Sequence, residues 1–246
     1  MKRSDEDRSL RPQSGRRQSG APREDKRRRH PLMMDCCNAR GCDKVFSEWF
    51  ARRVATRFRK KGLDKTARRM VAFLDARGVE NATVLDIGGG VGELGLALLK
   101  CGAARAVNLE LSPAYEEEGR RLFREHGLEE RVTWRLHDIA AEPDAIEPAD
   151  IVVLHRVVCC YPDFRRLLGA AADHGRRFVI FSYPSRNPLS RLFVAAANLI
   201  TRAFREEFRA FVHPPGAMLS VVEERGFRRV LTHRALVWQI AGLERK

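Results

Sequence analysis

The chain alternates short apolar runs with longer segments in which apolar residues recur every three or four positions. The short runs are rich in Val, Leu and Ile and predict strands at 83–87, 105–110, 131–136, 150–154 and 177–182. The segments between them predict helices near 92–101, 114–126 and 163–173. A chain that alternates strands and helices in this way forms a parallel sheet with helices on both faces.

The flanking segments extend this pattern. Before it, helical spacing predicts a helix over 44–60, and Asp64 is the expected N-cap of a second helix over 65–77. After it, 188–211 is typical of one long amphipathic helix, 217–226 of a further helix, and 228–244 of two adjoining strands. We therefore predict an α/β fold with a doubly wound, mostly parallel, seven-stranded sheet that ends in an antiparallel hairpin.

Composition limits the class of protein. With 246 residues and 44% hydrophobic content, the chain can form one sizeable domain. It contains no apolar run of about eighteen residues, so no transmembrane helix is expected. The first residues lack an apolar segment, and the six cysteines are expected to be reduced thiols. These features predict a cytoplasmic protein.

Positive charge is concentrated at the start of the chain. The net charge is +14, of which residues 1–30 carry +6, from eleven Lys or Arg and five Asp or Glu. Residues 1–34 contain little apolar material, and we expect a disordered basic tail there. Such a tail can contact nucleic acid or an anionic surface, although a solubilising leader is the favoured interpretation.

A glycine-rich turn follows the first predicted strand in the stretch VLDIGGGVGELG, residues 84–95. A strand that ends in such a turn at a helix N-terminus is typical of a nucleotide pocket, since the helix offers free N–H groups and glycine lets the backbone approach a ligand. Glu110 ends the next strand, where a carboxylate can bind two ribose hydroxyls. Residues 90–95 also match G-x-G-x-x-G, the dinucleotide fingerprint, so a nicotinamide cofactor remains an alternative.

Asp86 is the residue that favours another cofactor over a nicotinamide. Residues 86–92 match D-x-G-x-G-x-G, which resembles motif I of the class I S-adenosylmethionine (SAM) dependent methyltransferases. A carboxylate beside the turn repels a pyrophosphate and suits a ligand that carries an ammonium group, as SAM does. The resemblance spans about 83–243, and more loosely the whole chain is similar to magnesium-protoporphyrin O-methyltransferase-like sequences.

The resemblance implies a set of cofactor-binding positions. Asp138 and Ile139 stand where the family contacts adenine, and 149–163 resembles its fourth-strand stretch, with Cys159 and Cys160 in place of paired histidines. The implied SAM-binding residues are Asp86, Gly88, Gly89, Gly90, Gly92, Glu110, Leu111, Asp138, Ile139 and His155.

His155 and Arg156 are the candidate catalytic residues, because they follow the fourth strand at the edge of the sheet where ligands bind. His155 is a candidate general base or acceptor-orienting residue, and the alternative is a histidine bonded to a neighbouring loop. Arg156 is a candidate clamp for an acceptor carboxylate, and its alternative is a solvated surface arginine.

The cysteines are not expected to bind a metal or to take part in catalysis. Cys36, Cys37 and Cys42 fit no metal-ligand spacing, so no metal is expected, and they are assigned to an oxidisable segment or one that covers the pocket. Cys159 and Cys160 are expected to pack as small apolar residues. His213 follows the long predicted helix and could reach the site.

The flanking helices are candidate lids. Residues 35–80 are interpreted as an N-terminal helical lid whose basic residues attract an anionic acceptor, and a solvated helix face is the alternative. The family domain is placed at 81–246, with 188–211 as an inserted helix. The favoured interpretation is a lid that lines the acceptor site and also packs on the domain, and the alternatives are a helix on a membrane surface or one packed on the edge of the sheet.

The favoured function is SAM-dependent methyl transfer to a small molecule, with oxygen as the expected acceptor atom. A nicotinamide-dependent oxidoreductase and a non-catalytic binding module of the same fold are the alternatives. Nucleic acid is not favoured as a partner, because the basic segments lack interleaved aromatic residues for base stacking. The oligomeric state is not predicted.

Overall fold

A computed structural model describes residues 47–203 and 208–246, which fold around one mixed sheet. The helices of eight or more residues are α1 Glu48–Lys61, α2 Lys65–Asp75, α3 Glu93–Lys100, α4 Glu116–Glu125, α5 Phe164–Asp173, α6 Pro188–Ala203 and α7 Pro215–Glu223. The strands are β1 Thr83–Ile87, β2 Arg105–Glu110, β3 Val132–Leu136, β4 Ala149–Leu154, β5 Gly175–Pro184, β6 Phe227–His233 and β7 Trp238–Arg245.

The sheet has the strand order β3-β2-β1-β4-β5-β7-β6. The first five strands are parallel, and β7 runs antiparallel to both β5 and β6. The order reverses beside β1, where β4 crosses to its other side, and ligands bind at such a switch point. The predicted seven-stranded, doubly wound sheet with its antiparallel hairpin is confirmed.

Apolar side chains alternate between the two faces of the sheet. In β1, Val84 belongs to the apolar cluster that includes residues of α1, α2, α3 and α4, whereas Leu85 belongs to the cluster that includes residues of α5 and α7. Both side chains are at most 1% exposed. Because the central strands β1, β4 and β5 are covered on both faces, most of their residues are apolar and buried, which is why short apolar runs predicted them well.

Helix α1 is fixed to the rest of the molecule by charge as well as by packing. Ala51 and Ala55 are fully buried against the core, and Arg59 makes a two-bond contact with Glu125 of α4, both at 2.8 Å. Arg57 reaches Glu93 at the start of α3, 3.3 Å away. These contacts hold α1 across the edge of the sheet where the parallel strands end.

The start of α2 is confirmed as predicted. The Asp64 carboxylate accepts hydrogen bonds from the backbone N–H groups of Thr66 and Ala67, at 2.8 and 2.9 Å. These bonds satisfy donors that the first turn of a helix leaves free.

The helix predicted over 188–211 is too long. Helix α6 is described from Pro188 to Ala203, residues 204–207 lie outside the described part, and 208–214 have no helical structure. Asn198 explains the difference, because its side chain accepts from the N–H of Ala210 and donates to the Ala210 carbonyl, both at 2.8 Å. The chain therefore returns alongside α6, which an amphipathic pattern alone cannot indicate.

The remaining predictions for the N-terminal region concern residues outside the described part of the chain. Residues 1–46 include the predicted basic tail, Cys36, Cys37, Cys42 and the first residues of the helix predicted over 44–60. In the described residues, no helix is both long enough and apolar enough to cross a bilayer.

Candidate active site

A cavity of about 780 Å³ lies at the carboxyl ends of the parallel strands. Loops that follow β1, β2, β3 and β4 form its floor, and the inner side of α1 forms the opposite wall. Most predicted cofactor-binding residues line it, namely Asp86, Gly88, Gly89, Gly90, Glu110, Leu111, Asp138, Ile139 and His155. Its size is typical of small-molecule sites, which measure about 300–1,000 Å³.

The glycine turn requires its glycines. Gly88, Gly90 and Gly92 have φ values of 63°, 59° and 77°, in the left-handed region that other residues rarely adopt. A Cβ on Gly89 would collide with the side-chain oxygen of Asn108. Gly92 is not among the cavity-lining residues: it begins α3, and a Cβ there would approach the Phe123 ring to 2.7 Å. Gly92 therefore shapes the turn, whereas the other glycines border the cavity.

Asp86 lies beneath this turn and is 1% exposed. Its Oδ2 accepts from the Gly95 N–H at 3.2 Å, while Oδ1 and the neighbouring Asn108 Oδ1 have no hydrogen-bond partner among the described residues. Burial raises the pKa of the Asp86 carboxyl to about 7, and the negative charges of Glu110 and Glu93 raise it further. A cation bound here would stabilise the ionised form.

Glu110 faces the same space from the end of β2. Its two carboxylate oxygens accept from the N–H groups of Gly90, at 2.7 Å, and Leu111, at 3.0 Å. Burial raises the pKa of Glu110, and these hydrogen bonds oppose the rise. Each carboxylate oxygen has a second lone pair, so both can also accept from a diol. The backbone N–H groups of Gly90 and Leu111 thus fix the Glu110 carboxylate in position.

Glu93 is a site residue that the sequence analysis missed. It is 7% exposed, lines the cavity and leaves Oε2 without a partner in the described structure, while Oε1 faces Arg57. Burial raises the pKa of Glu93, and the charge of Arg57 opposes that rise. An acidic residue at the start of a helix is common, so nothing in the pattern separated it from an ordinary helix-stabilising glutamate.

The predicted adenine side of the pocket contains Asp138 and Ile139. Ile139 is 1% exposed and belongs to the core, whereas the Asp138 carboxylate accepts from the Ala140 N–H at 2.9 Å and from the Tyr161 hydroxyl at 3.0 Å. Tyr161 also lines the cavity. An apolar side chain beside a hydrogen-bonded carboxylate and a phenol suits a flat, partly polar ring.

His155 lies in the cavity wall with a partner at each ring nitrogen. Nδ1 is 3.0 Å from the Ser182 hydroxyl, and Nε2 is 3.2 Å from Asp64 Oδ2. Because the Asp64 carboxylate can only accept, Nε2 carries the ring proton, and Nδ1 accepts from the Ser182 hydroxyl, whose oxygen also accepts from the Arg156 N–H. His155 therefore connects α2 to β5, and neither nitrogen is open to an acceptor in this arrangement.

Arg156 adopts φ of 62°, an unusual value for a residue with a side chain. Its guanidinium pairs with Asp64 at 2.8 Å and lies over the Trp238 ring, 4.9 Å from the centroid. Burial would raise the pKa of Asp64, but its hydrogen bond to His155 and the charge of Arg156 hold that pKa well below its usual range. This cluster joins the α1–α2 junction to the edge of the active-site sheet.

The wall opposite the carboxylates is basic. Arg53, Arg57, Lys60 and Lys61, all on the inner side of α1, line the cavity. The cavity thus has a floor of carboxylates, the buried Asp86 and Glu93 and the half-buried Glu110, and a basic rim made of these four α1 residues.

Cys159, Cys160 and His213 differ in their position relative to the cavity. Cys159 is 7% exposed, as expected for packing, whereas Cys160 lines the cavity. His213 does not reach the cavity: its ring stacks on Phe211 and its Nε2 lies 3.0 Å from the Tyr161 carbonyl. No described residue of α6 lines the cavity either, and the role of this helix at the acceptor site stays a prediction.

Comparisons with known proteins agree with this architecture. A family model described as a methyltransferase domain matches residues 84–176, from the first strand to the start of the fifth. Ribosomal protein L11 methyltransferase of Aeromonas hydrophila is 31% identical over 115 residues, which are 47% of this chain and 37% of that protein. The same enzyme of Klebsiella pneumoniae is 33% identical over 92 residues, 37% of this chain and 30% of that protein. The chain thus spans about a third of the length of these relatives.

Similar solved structures cover more of the chain. Magnesium protoporphyrin IX methyltransferase from Synechocystis PCC 6803, with bound S-adenosylhomocysteine (SAH), superimposes with a TM-score of 0.64 at 19% identity, over 83% of this chain and 99% of that one. An O-methyltransferase family protein from Burkholderia thailandensis gives a TM-score of 0.62 at 18% identity, over 83% of this chain and 63% of that one. Residues 84–176 are thus a methyltransferase domain, and the chain around them has the fold of the class I SAM-dependent methyltransferases.

Proposed function

We propose that this chain transfers the methyl group of SAM to an oxygen of a small acceptor that carries a carboxylate or a similar anionic group. The observation that carries the proposal is the separation of charge within one cavity, between the carboxylate floor and the basic rim. SAM brings an ammonium and a sulfonium, which suit the floor. The rim suits a partner of the opposite charge.

The residues of the floor fit this cofactor. The unpartnered oxygens of Asp86 and Glu93 lie beside a turn that no side chain could occupy, so a cationic group would find two buried acceptors there. Glu110 would accept from the ribose hydroxyls, and Asp138 with Ile139 would hold the adenine. When bound, SAM supplies a methyl group already activated on sulfur, so the protein has to align the acceptor and exclude water.

The rim determines the acceptor in this proposal. Arg53, Lys60 and Lys61 would hold an anionic group opposite the floor, and alignment of two reactants contributes about 7–11 kcal/mol to such a reaction. A carboxylate acceptor is already deprotonated at neutral pH and needs no general base. This agrees with a cavity in which both nitrogens of His155 are occupied.

We therefore assign His155 an orienting role and Arg156 a carboxylate-binding role. His155 would keep Asp64 and the α1–α2 junction in place over the acceptor, and Arg156, whose side chain is 43% exposed, would share its charge between Asp64 and the acceptor. For His155→Ala we expect a loss of turnover of about tenfold that exceeds the loss of SAM affinity, since a misplaced acceptor slows the reaction. His155→Gln should recover part of it, and full activity in His155→Ala would leave this residue a structural role only.

Two measurements test the function. Calorimetry with SAM, SAH and NAD should give binding of the first two and none of NAD, because the buried Asp86 repels a pyrophosphate. SAH release should then be measured with paired acceptors, each an aromatic or aliphatic acid and its neutral amide. Turnover of the acids alone supports the proposal.

The other outcomes are equally informative. Binding of NAD without SAM would reinstate the oxidoreductase, and binding of none of the three ligands would favour a non-catalytic module. SAM binding with methylation of a protein, as the relatives named for ribosomal protein L11 suggest, would contradict the small-molecule acceptor and leave the cofactor site intact.

A further inference from the structure

A second cavity, of about 430 Å³, lies outside the candidate active site, between the end of β5, the start of α7 and the terminal hairpin. We call it the cationic pocket. Its polar lining consists of Tyr183, Arg186, Arg229, Thr232, Arg234 and Gln239. Within the described part of the chain, no carboxylate pairs with any of the three arginines.

The sequence around the pocket explains why these arginines have no carboxylate partner. Residues 175–203, from β5 to α6, and 227–243, in the terminal hairpin, contain no Asp or Glu, and α7 lines the pocket with Pro215, Gly216 and Leu219 only. Elsewhere on the surface, arginines pair regularly with glutamates, as Arg124 does with Glu129 at 2.9 Å. A cluster of unpaired guanidinium groups is unfavourable on its own and becomes favourable when an anion binds.

Tyr183 provides a second, independent feature. It lines the pocket and is 3% exposed, and its hydroxyl makes no hydrogen bond to any described residue. Burial raises the pKa of this hydroxyl, while the charges of Arg229 and Arg234 oppose the rise, so both guanidinium groups act on it. A buried phenol usually finds a partner. For Tyr183, a ligand bound in the pocket can be that hydrogen-bond partner.

An apolar surface borders the pocket. The turn between β6 and β7 exposes Leu236 and Val237, by 68% and 47%, and the first turns of α6 expose Leu192 by 67%. The two elements are joined, because Asn187 donates to the Leu236 carbonyl at 2.6 Å and the Ser185 N–H donates to the Val237 carbonyl at 2.8 Å. We call Leu192, Leu236 and Val237 the apolar border.

The exposed side of α6 continues this border. Leu199 is 68% exposed and Ile200 57%, and the residues between them and Leu192 on the same side are alanines. Large apolar side chains in such an arrangement beside unpaired arginines are typical of surfaces that rest in the headgroup region of a bilayer. Nucleic acid is less suited, because the border offers aliphatic side chains in place of the aromatic ones on which bases stack.

We propose that this surface docks on an anionic phospholipid membrane, with a lipid phosphate in the cationic pocket and the apolar border inserted between headgroups. Arg186, Arg229, Arg234 and the Tyr183 hydroxyl supply the donors for the phosphate. The surface lies at the same edge of the sheet as the active-site cavity, since Trp238 begins β7 and contacts Arg156. This inference does not depend on the proposed function.

Vesicle sedimentation with the whole chain tests it. We expect binding to vesicles that contain phosphatidylglycerol, weakening as salt is raised, and little binding to phosphatidylcholine alone. The variant Arg229→Gln/Arg234→Gln should lose about tenfold or more in affinity, since each basic residue near an anionic surface contributes about 1 kcal/mol. Leu236→Asn should also weaken vesicle binding.

The matched control is Arg68→Gln/Arg69→Gln, which removes the same charge from the exposed side of α2. The basic N-terminal residues are present in every variant, so the difference between the two double variants reports the surface alone. Equal affinities of the two variants, or equal binding to both kinds of vesicle, would overturn the proposal.

Two further arms identify the source of the anion. Binding of glycerol phosphate without binding of vesicles would mean a soluble phosphate ligand, and single-stranded RNA binding that needs Arg229 and Arg234 would mean a nucleic acid; either outcome rejects the membrane. Calorimetry with SAM should give the same affinity in all variants, so that failure of this proposal and failure of the enzyme assignment are distinguishable.

Discussion

The floor and the rim of the active-site cavity differ in origin as well as in charge. The floor is made of carboxylates at the ends of β1 and β2 and at the start of α3, and backbone N–H groups fix those of Asp86 and Glu110. The rim comes from one helix, α1, whose basic side chains are largely exposed. Arg57 and Glu93, 3.3 Å apart, join the two.

This difference separates two tasks. The floor is poorly solvated, so its carboxylates have raised pKa values and gain most from a cationic partner. The rim is solvated and on long side chains, so it attracts an anion without fixing one shape. The carboxylate floor therefore suits a cofactor, which is the same in every reaction cycle, and the basic rim suits an acceptor whose shape can vary.

The largest effect is expected from breaking the floor. Glu110→Ala removes two charge-assisted hydrogen bonds to the ribose, each worth about 1.5–3 kcal/mol, so SAM affinity should fall by about a hundredfold or more in calorimetry. Glu147→Ala, at an exposed position, is the control. Circular dichroism and Glu110→Gln separate lost binding from lost folding, and unchanged affinity in a folded variant would remove the ribose assignment.

Breaking the rim should affect the acceptor alone. In Arg53→Gln/Lys60→Gln we expect KM for an anionic acceptor to rise about tenfold or more, mainly at low salt, with SAM affinity unchanged. Arg52→Gln on the same helix is the control, because its side chain is 61% exposed and pairs with Glu48. An unaltered KM in the double variant would make the rim a solvated helix face.

The pH dependence of SAM binding sharpens the role of Asp86. In the free protein its pKa is raised to about 7, and a bound cation favours the ionised form, so affinity should rise about tenfold from about pH 6 to about pH 8. Asp86→Asn should bind SAM weakly and lose this part of the dependence. The same slope in both proteins would assign the titration to another group.

Stability should change in the opposite direction. Because the folded-state pKa is raised, the contribution of neutral Asp86 to stability is present at low pH and is lost as the pH rises through about 7. The free Asp86→Asn protein should therefore melt at a higher temperature than the wild type at about pH 8. Thermal unfolding without ligand tests this.

The smallest effect is expected at the junction that holds α1 over the floor. Asp64→Ala loses the helix cap and the Arg156 pair, and should lower the free energy of unfolding by about 1–2 kcal/mol in denaturant titration. Asp64→Asn keeps the cap and should lose less. Since the pKa of Asp64 is held below its usual range, this contribution is present above the ordinary carboxyl pKa and disappears as the pH falls below it.

The structure supports the sequence-based prediction best where the signal was local. Strands β1 and β2 have the predicted bounds, since a buried parallel strand is a continuous apolar run with polar ends. The catalytic roles of His155 and Arg156, the lid over 35–80 and the cytoplasmic location stay predictions. The inserted helix was predicted too long, because Asn198 bonds a returning segment that no periodicity describes.

The sequence by itself determined the sheet, the glycine turn and Glu110, because alternation, helical spacing and left-handed glycines act over a few residues. Only the tertiary structure decided that α1 forms the basic rim, that Asp64 meets His155 and Arg156, and that three arginines from two separate segments share one pocket. Such contacts join residues far apart in the chain, and each depends on how helices and strands pack after their local patterns are satisfied.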